Sequence, residues 1–273
     1  MKSYAGSNVY IVGGSSGIGL AAAKRFASLG ADVFIFSRTM EMLESAVKEI
    51  ADEARADGQR ASHMRLDVTD RDKIGEVMDR AVEEFGVPDV LINCAGRAYP
   101  RSFEEIGYGQ FDESMKVHLY GIWNTIHALL PHMKEKGGEI VNVASMAGFL
   151  GVFGYTDYSA SKFALMGFSE ALRSELKPRG IMVSVLCPPD TQTPAFEVEN
   201  QTKPAETLAI TELSRVMQPD RVARALIRGM GRGKFVIVPG LFGKAVFLAK
   251  RFVPGLVERI MDRDIRKAQA EKS

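Results

Sequence analysis

A chain of 273 residues with 46% hydrophobic and 25% charged side chains carries enough apolar material for an α/β core and is not the composition of a disordered segment. Its 35 basic and 34 acidic side chains leave a formal charge of +1, which excludes the basic footprint of a nucleic-acid binder. The two cysteines, Cys94 and Cys187, lie in apolar strand-like runs and fit buried thiols in a reducing compartment, and the four histidines lack metal-ligand spacing, so neither a disulfide scaffold nor a metal is expected.

The predicted elements alternate in period. Residues 8–12 (NVYIV) read as a strand, 17–29 as a helix stopped at Gly30, and 32–37 (DVFIFS) as a second strand. A charged helix over 40–56 leads to a strand over 62–68, a helix over 70–86 to a strand over 90–93, and a long helix over 108–135 to a strand over 139–145. A helix over 156–177, a strand over 181–187 and a last strand over 235–238 complete the pattern. Nearly continuous apolar strands separated by helices predict βαβ crossovers. The expected fold is a single doubly wound, Rossmann-type α/β domain over 1–273, a three-layer sandwich around a parallel sheet. The run 188–218, with Pro188, Pro189, Pro194 and Pro204, is expected to be a substrate lid. The apolar segment 239–273 carries Lys244, Lys250 and Arg251. It is expected either to pack on the core or a partner subunit, or to rest on a membrane surface through about 241–252. No signal peptide and no run of roughly 20 apolar residues is present, so a cytoplasmic or peripheral protein is expected.

Three junctions between strands and helices carry chemistry. The first strand runs into Val12-Gly13-Gly14-Ser15-Ser16-Gly17-Ile18-Gly19 and then a helix. A dinucleotide pyrophosphate needs bare backbone N–H groups at a helix N-terminus, and a Cβ in the turn would obstruct its approach. The second strand ends at Ser37-Arg38, where NAD-binding chains place a carboxylate on the adenosine ribose. A guanidinium without that carboxylate favours the 2′-phosphate of NADPH. Asp67 is expected to meet the adenine, and Asn93-Cys94-Ala95-Gly96 to brace the pocket. The third junction combines Ser145 with Tyr158 and Lys162, four apart on one helix face. A phenol beside an ammonium and the positive nicotinamide ring of an oxidised cofactor is expected to have its pKa lowered and to donate a proton to a carbonyl oxygen, with Ser145 stabilising the charge that develops there. Tyr155 has no lysine four residues on and is expected to be pocket wall.

Gly13-x-x-x-Gly17-x-Gly19, Asn93-x-Ala95-Gly96, Ser145 and Tyr158-x-x-x-Lys162, in this order, resemble the short-chain dehydrogenase/reductase family over roughly 8–195. The resemblance implies a seven-stranded sheet, a Ser-Tyr-Lys centre, and a homodimer or homotetramer. Its cofactor contacts would be Ser15, Ser16, Ile18, Val68, Pro188, Thr191 and Thr193 besides the residues above, with Thr193 on the nicotinamide carboxamide. Two positions depart from the family: Val12 replaces a threonine, and His118 stands where an asparagine supports a water in a proton relay. Histidine both donates and accepts, so a relay through His118 is expected in altered form. Gly151–Thr156 and the run from Cys187 to Thr207 resemble the members of the family that reduce the 3-keto group of long-chain amino ketones, the 3-ketodihydrosphingosine reductases, with Phe149, Phe153, Phe196 and Leu208 expected around the alkyl chain. The alternatives are a reductase of a β-ketoacyl, steroid or small ketone, or a catalytically weak NADP-binding scaffold.

Overall fold

The computed structural model describes residues 3–211 and 215–271. Among them seven strands, β1 (Asn8–Val12), β2 (Asp32–Ser37), β3 (Ala61–Arg65), β4 (Val90–Asn93), β5 (Gly138–Val143), β6 (Ile181–Leu186) and β7 (Val236–Ile237), form one parallel sheet in the order β3-β2-β1-β4-β5-β6-β7. Alternation along each strand feeds two cores. Tyr10, Phe34 and Phe36 face one side, where they meet α3 (Arg71–Phe85), α5 (Gly121–Met133) and α6 (Thr156–Leu176). Val9, Ile11, Val33 and Ile35 face the other, against α1 (Gly17–Ala27), α2 (Met40–Ala51) and α9 (Pro219–Met230). Both faces are therefore covered, as a parallel sheet requires. The strand order reverses between β1 and β4, and the crevice at their C-terminal ends is where ligands of such sheets bind.

Several elements differ from the periodicity. The strand expected over 62–68 ends at Arg65, because its partner β2 ends at Ser37 and leaves Leu66–Val68 no edge to pair with beyond one backbone bond, Leu66 N–H to Ser37 O. The long helix over 108–135 is divided. α4 (Tyr108–Met115) and α5 are joined through a π turn at Lys116–Tyr120, and the widened turn places His118 inside the molecule. One wide turn barely alters apolar spacing, which is why the period reads through it. The expected irregular lid contains two short helices, α7 (Pro194–Asn200) and α8 (Ala205–Thr211). Residues 212–214 of that lid lie outside the described residues. The C-terminal segment forms α10 (Leu241–Phe252) and α11 (Pro254–Ala270), and α11 packs on α8. Among the described residues no helix is long and apolar enough to cross a membrane.

Candidate active site

A cavity of about 660 Å³ opens at the C-terminal edge of the sheet. At one end lies the glycine turn between β1 and α1. Gly13 has φ +83°, and a Cβ there would stand 2.6 Å from the backbone nitrogen of Ala95. Gly17 has φ +55°, and a Cβ on Gly19 would stand 2.1 Å from the Gly13 carbonyl oxygen. Only glycine allows this packing of turn on helix. Ser16 caps α1 without a side-chain hydrogen bond, and while the Gly19 N–H meets the Cys94 sulfur, those of Gly17 and Ile18 stay open to an anion. The Ser37 hydroxyl is buried without a partner at the end of β2. Arg38 beside it is exposed and makes no ion pair among the described residues. Burial pushes the Asp67 carboxyl up, but hydrogen bonds from the Thr69 backbone and hydroxyl, with Arg38 and Arg65 nearby, outweigh it and hold the group below its ordinary value. A glycine cradle, an orphaned hydroxyl and a free guanidinium fit a phosphorylated dinucleotide.

The middle of the cavity holds Ser145, Tyr158 and Lys162. Ser145 follows the end of β5 and caps a short 3₁₀ turn, its Oγ accepting the Ala147 N–H at 3.1 Å. That bond orients the hydroxyl and leaves its proton free to donate. Tyr158 and Lys162 stand one turn apart at the start of α6, the Lys162 ammonium 5.5 Å from the Tyr158 ring centre. Lys162 Nζ donates to the Val143 carbonyl at 2.9 Å. Burial draws its pKa from the ordinary lysine value down to about 8, with the Cys94 and Cys187 thiols opposing. The expected lowering of the Tyr158 pKa is not found in the chain itself. Burial, then the Glu199 carboxylate, pushes it above the ordinary phenol value, and the hydrogen bond with Ser145 only partly offsets this. Desolvation of a phenolate outweighs the nearby ammonium here.

Of the cofactor and catalytic residues expected from the sequence, Gly19, Asn93 and His118 do not line the cavity, whereas Gly13, Ser15, Ser16, Gly17, Ile18 and the others from Ser37 to Thr193 do. Asn93 is held back because its amide donates to Asn142 at 3.0 Å, and Asn142 donates to Ser169 at 2.9 Å, a strap tying β4, β5 and α6. Cys94, expected buried, is partly exposed at the same edge, while Cys187 is buried. His118 lies behind Gly96, where a Cβ would come within 2.8 Å of the imidazole.

The imidazole has one consistent protonation. Ser161 Oγ spends its only proton on the Tyr158 carbonyl at 2.7 Å, so at 3.1 Å it accepts from His118 Nδ1. His118 Nε2 accepts the Arg97 N–H at 3.3 Å. The ring is thus neutral, in keeping with a pKa held well below the ordinary value by burial and by Lys162. Both ring nitrogens have protein partners, so the imidazole meets Ser161 and the Arg97 backbone rather than the Lys162 side. The ring instead stands edge-on to Tyr158, centres 5.1 Å apart.

The far wall of the cavity is largely apolar. Phe196 contributes to it, as expected, but Phe149, Phe153 and Leu208 do not line it. Phe149 is turned away to pack edge-on against Phe247, and Leu208 is exposed. The wall comes instead from α10 and α11, with Phe242, Val246, Val257, Ile260 and Met261. The spacing 242, 245, 246, 249 on one face of α10 was the available signal, but it is equally that of any core-packing helix.

The family model described as short chain dehydrogenase matches residues 7–204. The 3-dehydrosphinganine reductase of Danio rerio is 41% identical over 84% of this chain and 70% of its own length. The 3-ketodihydrosphingosine reductase of Bos taurus is 40% identical over the same shares. Among solved structures, a short chain dehydrogenase/reductase from Burkholderia phymatum in complex with NAD is similar with a TM-score of 0.80 and 25% identity, covering 94% of this chain and 96% of that one.

Proposed function

The chain belongs to the short chain dehydrogenase family, and from that premise we propose that it reduces the 3-keto group of 3-ketodihydrosphingosine, giving sphinganine, with NADPH as reductant. The observation that carries this reading is the convergence of Ser145, Tyr158 and Lys162 on one cavity, between a dinucleotide cradle and a largely apolar wall.

When bound, NADPH supplies the hydride to the ketone carbon. Tyr158 Oη donates its proton to the ketone oxygen, and its raised pKa keeps that proton in place at neutral pH until the oxygen becomes basic. The Ser145 hydroxyl donates to the same oxygen and stabilises the charge that builds there. Lys162, as an ammonium, holds the nicotinamide ribose hydroxyls and stabilises the phenolate left on Tyr158. His118 is a positioning residue: through Ser161 and its edge contact it holds the first turn of α6, from which Tyr158 projects. Ser37 and Arg38 receive the 2′-phosphate. The direct assay follows the loss of reduced-nicotinamide absorbance with 3-ketodihydrosphingosine. No turnover on this ketone, with turnover on a β-ketoacyl thioester or steroid ketone, would overturn the substrate and leave the chemistry.

The ammonium role of Lys162 has a pH signature. Below about 8 the group is charged and helps hold the cofactor; above it the charge is lost. NADPH affinity should therefore weaken as pH rises from about 7 to about 9.5, a range in which ordinary lysines stay protonated. Lys162→Met should bind weakly and equally at both ends of that range, read as Kd from nicotinamide fluorescence. A wild-type Kd independent of pH would remove the assignment.

Two surfaces support partners. Phe111, Tyr120, Trp123 and Phe163 are exposed on α4, the π turn, α5 and α6. This apolar strip suits a second copy of the chain, and light scattering should give a dimer or tetramer. Leu248, Phe252 and Leu256 are exposed on the hairpin of α10 and α11, beside Lys250 and Arg251, which suits peripheral contact with an anionic lipid surface. Flotation with phosphatidylserine vesicles checks it, since retention in the protein-only fraction would leave that face without a lipid role.

A further inference from the structure

The wall beside Tyr158 carries a charge arrangement that proton and hydride transfer do not need. Asp190 and Glu199 both line the cavity. Their counterion, Lys203, does not. It sits behind them with its side chain 1% exposed, 3.3 Å from Asp190 Oδ2 and 3.1 Å from Glu199 Oε1. Its ammonium also lies 4.2 Å from the centre of the Phe196 ring, which fixes its place. Two carboxylates against one hidden ammonium leave one formal negative charge facing the cavity.

Glu199 is the better placed of the two. Tyr155 donates to its Oε1, the same oxygen that Lys203 approaches. Its Oε2 has no partner among the described residues. Tyr155 is in turn ring-to-ring with Tyr158, centres 5.7 Å apart, so the carboxylate is one side chain away from the proton donor. The Glu199 side chain is 17% exposed, and a largely shielded carboxylate with one oxygen left open is stabilised when a cation completes it. Burial raises the Glu199 carboxyl, Lys203 opposes that, and an arriving cation would add to the opposing side.

We propose that Glu199, gripped by Tyr155 and Lys203 and backed by Asp190, receives the protonated amino group of the substrate and makes the site selective for 2-amino ketones. This rests on the reading of the substrate as 3-ketodihydrosphingosine, whose amine is borne by the carbon next to the ketone. With the ketone oxygen on Tyr158 and Ser145, that carbon must stand in the same stretch of wall. The carboxylate also offsets the repulsion between a substrate ammonium and Lys162, which share the cavity. The tether Asp190–Lys203–Glu199 joins the segment after β6 to α7, so the carboxylate that meets the amine is held from both sides.

The test is calorimetric binding to the NADP-saturated protein of two short-chain analogues kept below their micelle concentrations: the 2-amino-1,3-diol and the matching 1,3-diol without the amine. Glu199→Gln keeps the volume and an acceptor for Tyr155. The wild type should bind the amine at least about 10-fold more tightly than the plain diol. Glu199→Gln should lose about 10- to 100-fold for the amine and less than about 3-fold for the diol, the size expected for one charge-assisted hydrogen bond. Equal losses for both ligands, or a wild type that does not distinguish them, would overturn the proposal in favour of a purely bracing role. Turnover separates the two readings: a protein that prefers the amine through Glu199 yet does not reduce the amino ketone refutes the reductase and keeps the subsite. One that reduces ketones with and without the amine equally refutes the subsite alone.

Discussion

Tyr158→Phe is expected to lower kcat for ketone reduction by about 10²- to 10⁴-fold, the usual contribution of a positioned proton donor. The ring itself should stay in place. Its edge contact with His118 and its packing against Tyr155 use the aromatic body, not the hydroxyl. NADPH affinity and thermal midpoint should therefore change little, and the loss should fall on kcat. Tyr155 cannot substitute, because its hydroxyl already donates to Glu199, and burial with that carboxylate beside it raises its pKa above the ordinary phenol value. A Tyr158→Phe protein with near-normal turnover would show that the proton comes from elsewhere. A wild type that turns over no ketone at all would instead favour the scaffold alternative.

The second large effect concerns cofactor choice. Arg38→Ala should weaken NADPH by about 10- to 100-fold, corresponding to roughly 1.5–3 kcal/mol for charge-assisted bonds to a phosphate, and leave NADH nearly unchanged. Adding Ser37→Asp should reverse the preference. A carboxylate at the end of β2 repels the 2′-phosphate and accepts from the ribose hydroxyls of NADH. The Ser37 hydroxyl, buried without a partner, has no other bond to lose in the exchange. The ratio of the two dissociation constants measures the outcome, and an unchanged ratio in the double variant would remove both residues from phosphate recognition. The similar Burkholderia phymatum structure holds NAD, so the family likeness by itself does not decide between the cofactors.

Much of the order of elements was legible because alternating apolar strands and amphipathic helices repeat along the chain. The sheet contains the seven strands that the family resemblance implied. The discrepancies have local causes. A π turn hides inside a helical period, and β3 stops where its neighbour stops. The interior of 188–211 folded into α7 and α8, with Thr193 capping the first through its bond from the Phe196 N–H, although its prolines suggested an irregular stretch.

The sequence by itself determined the cradle and the Ser-Tyr-Lys arrangement. Each sits at a strand-to-helix junction, and the requirement for bare backbone at Gly13 and Gly17, or for Lys162 one turn after Tyr158, acts over a few consecutive residues. Only the tertiary structure decided the rest. His118 meets Ser161 across 43 residues, Tyr155 meets Glu199 across 44, and the apolar wall arrives from α10 and α11 at the far end of the chain. Such contacts leave no period or spacing in the sequence, because an exposed and a cavity-facing position on a helix differ only in what the folded chain brings against them.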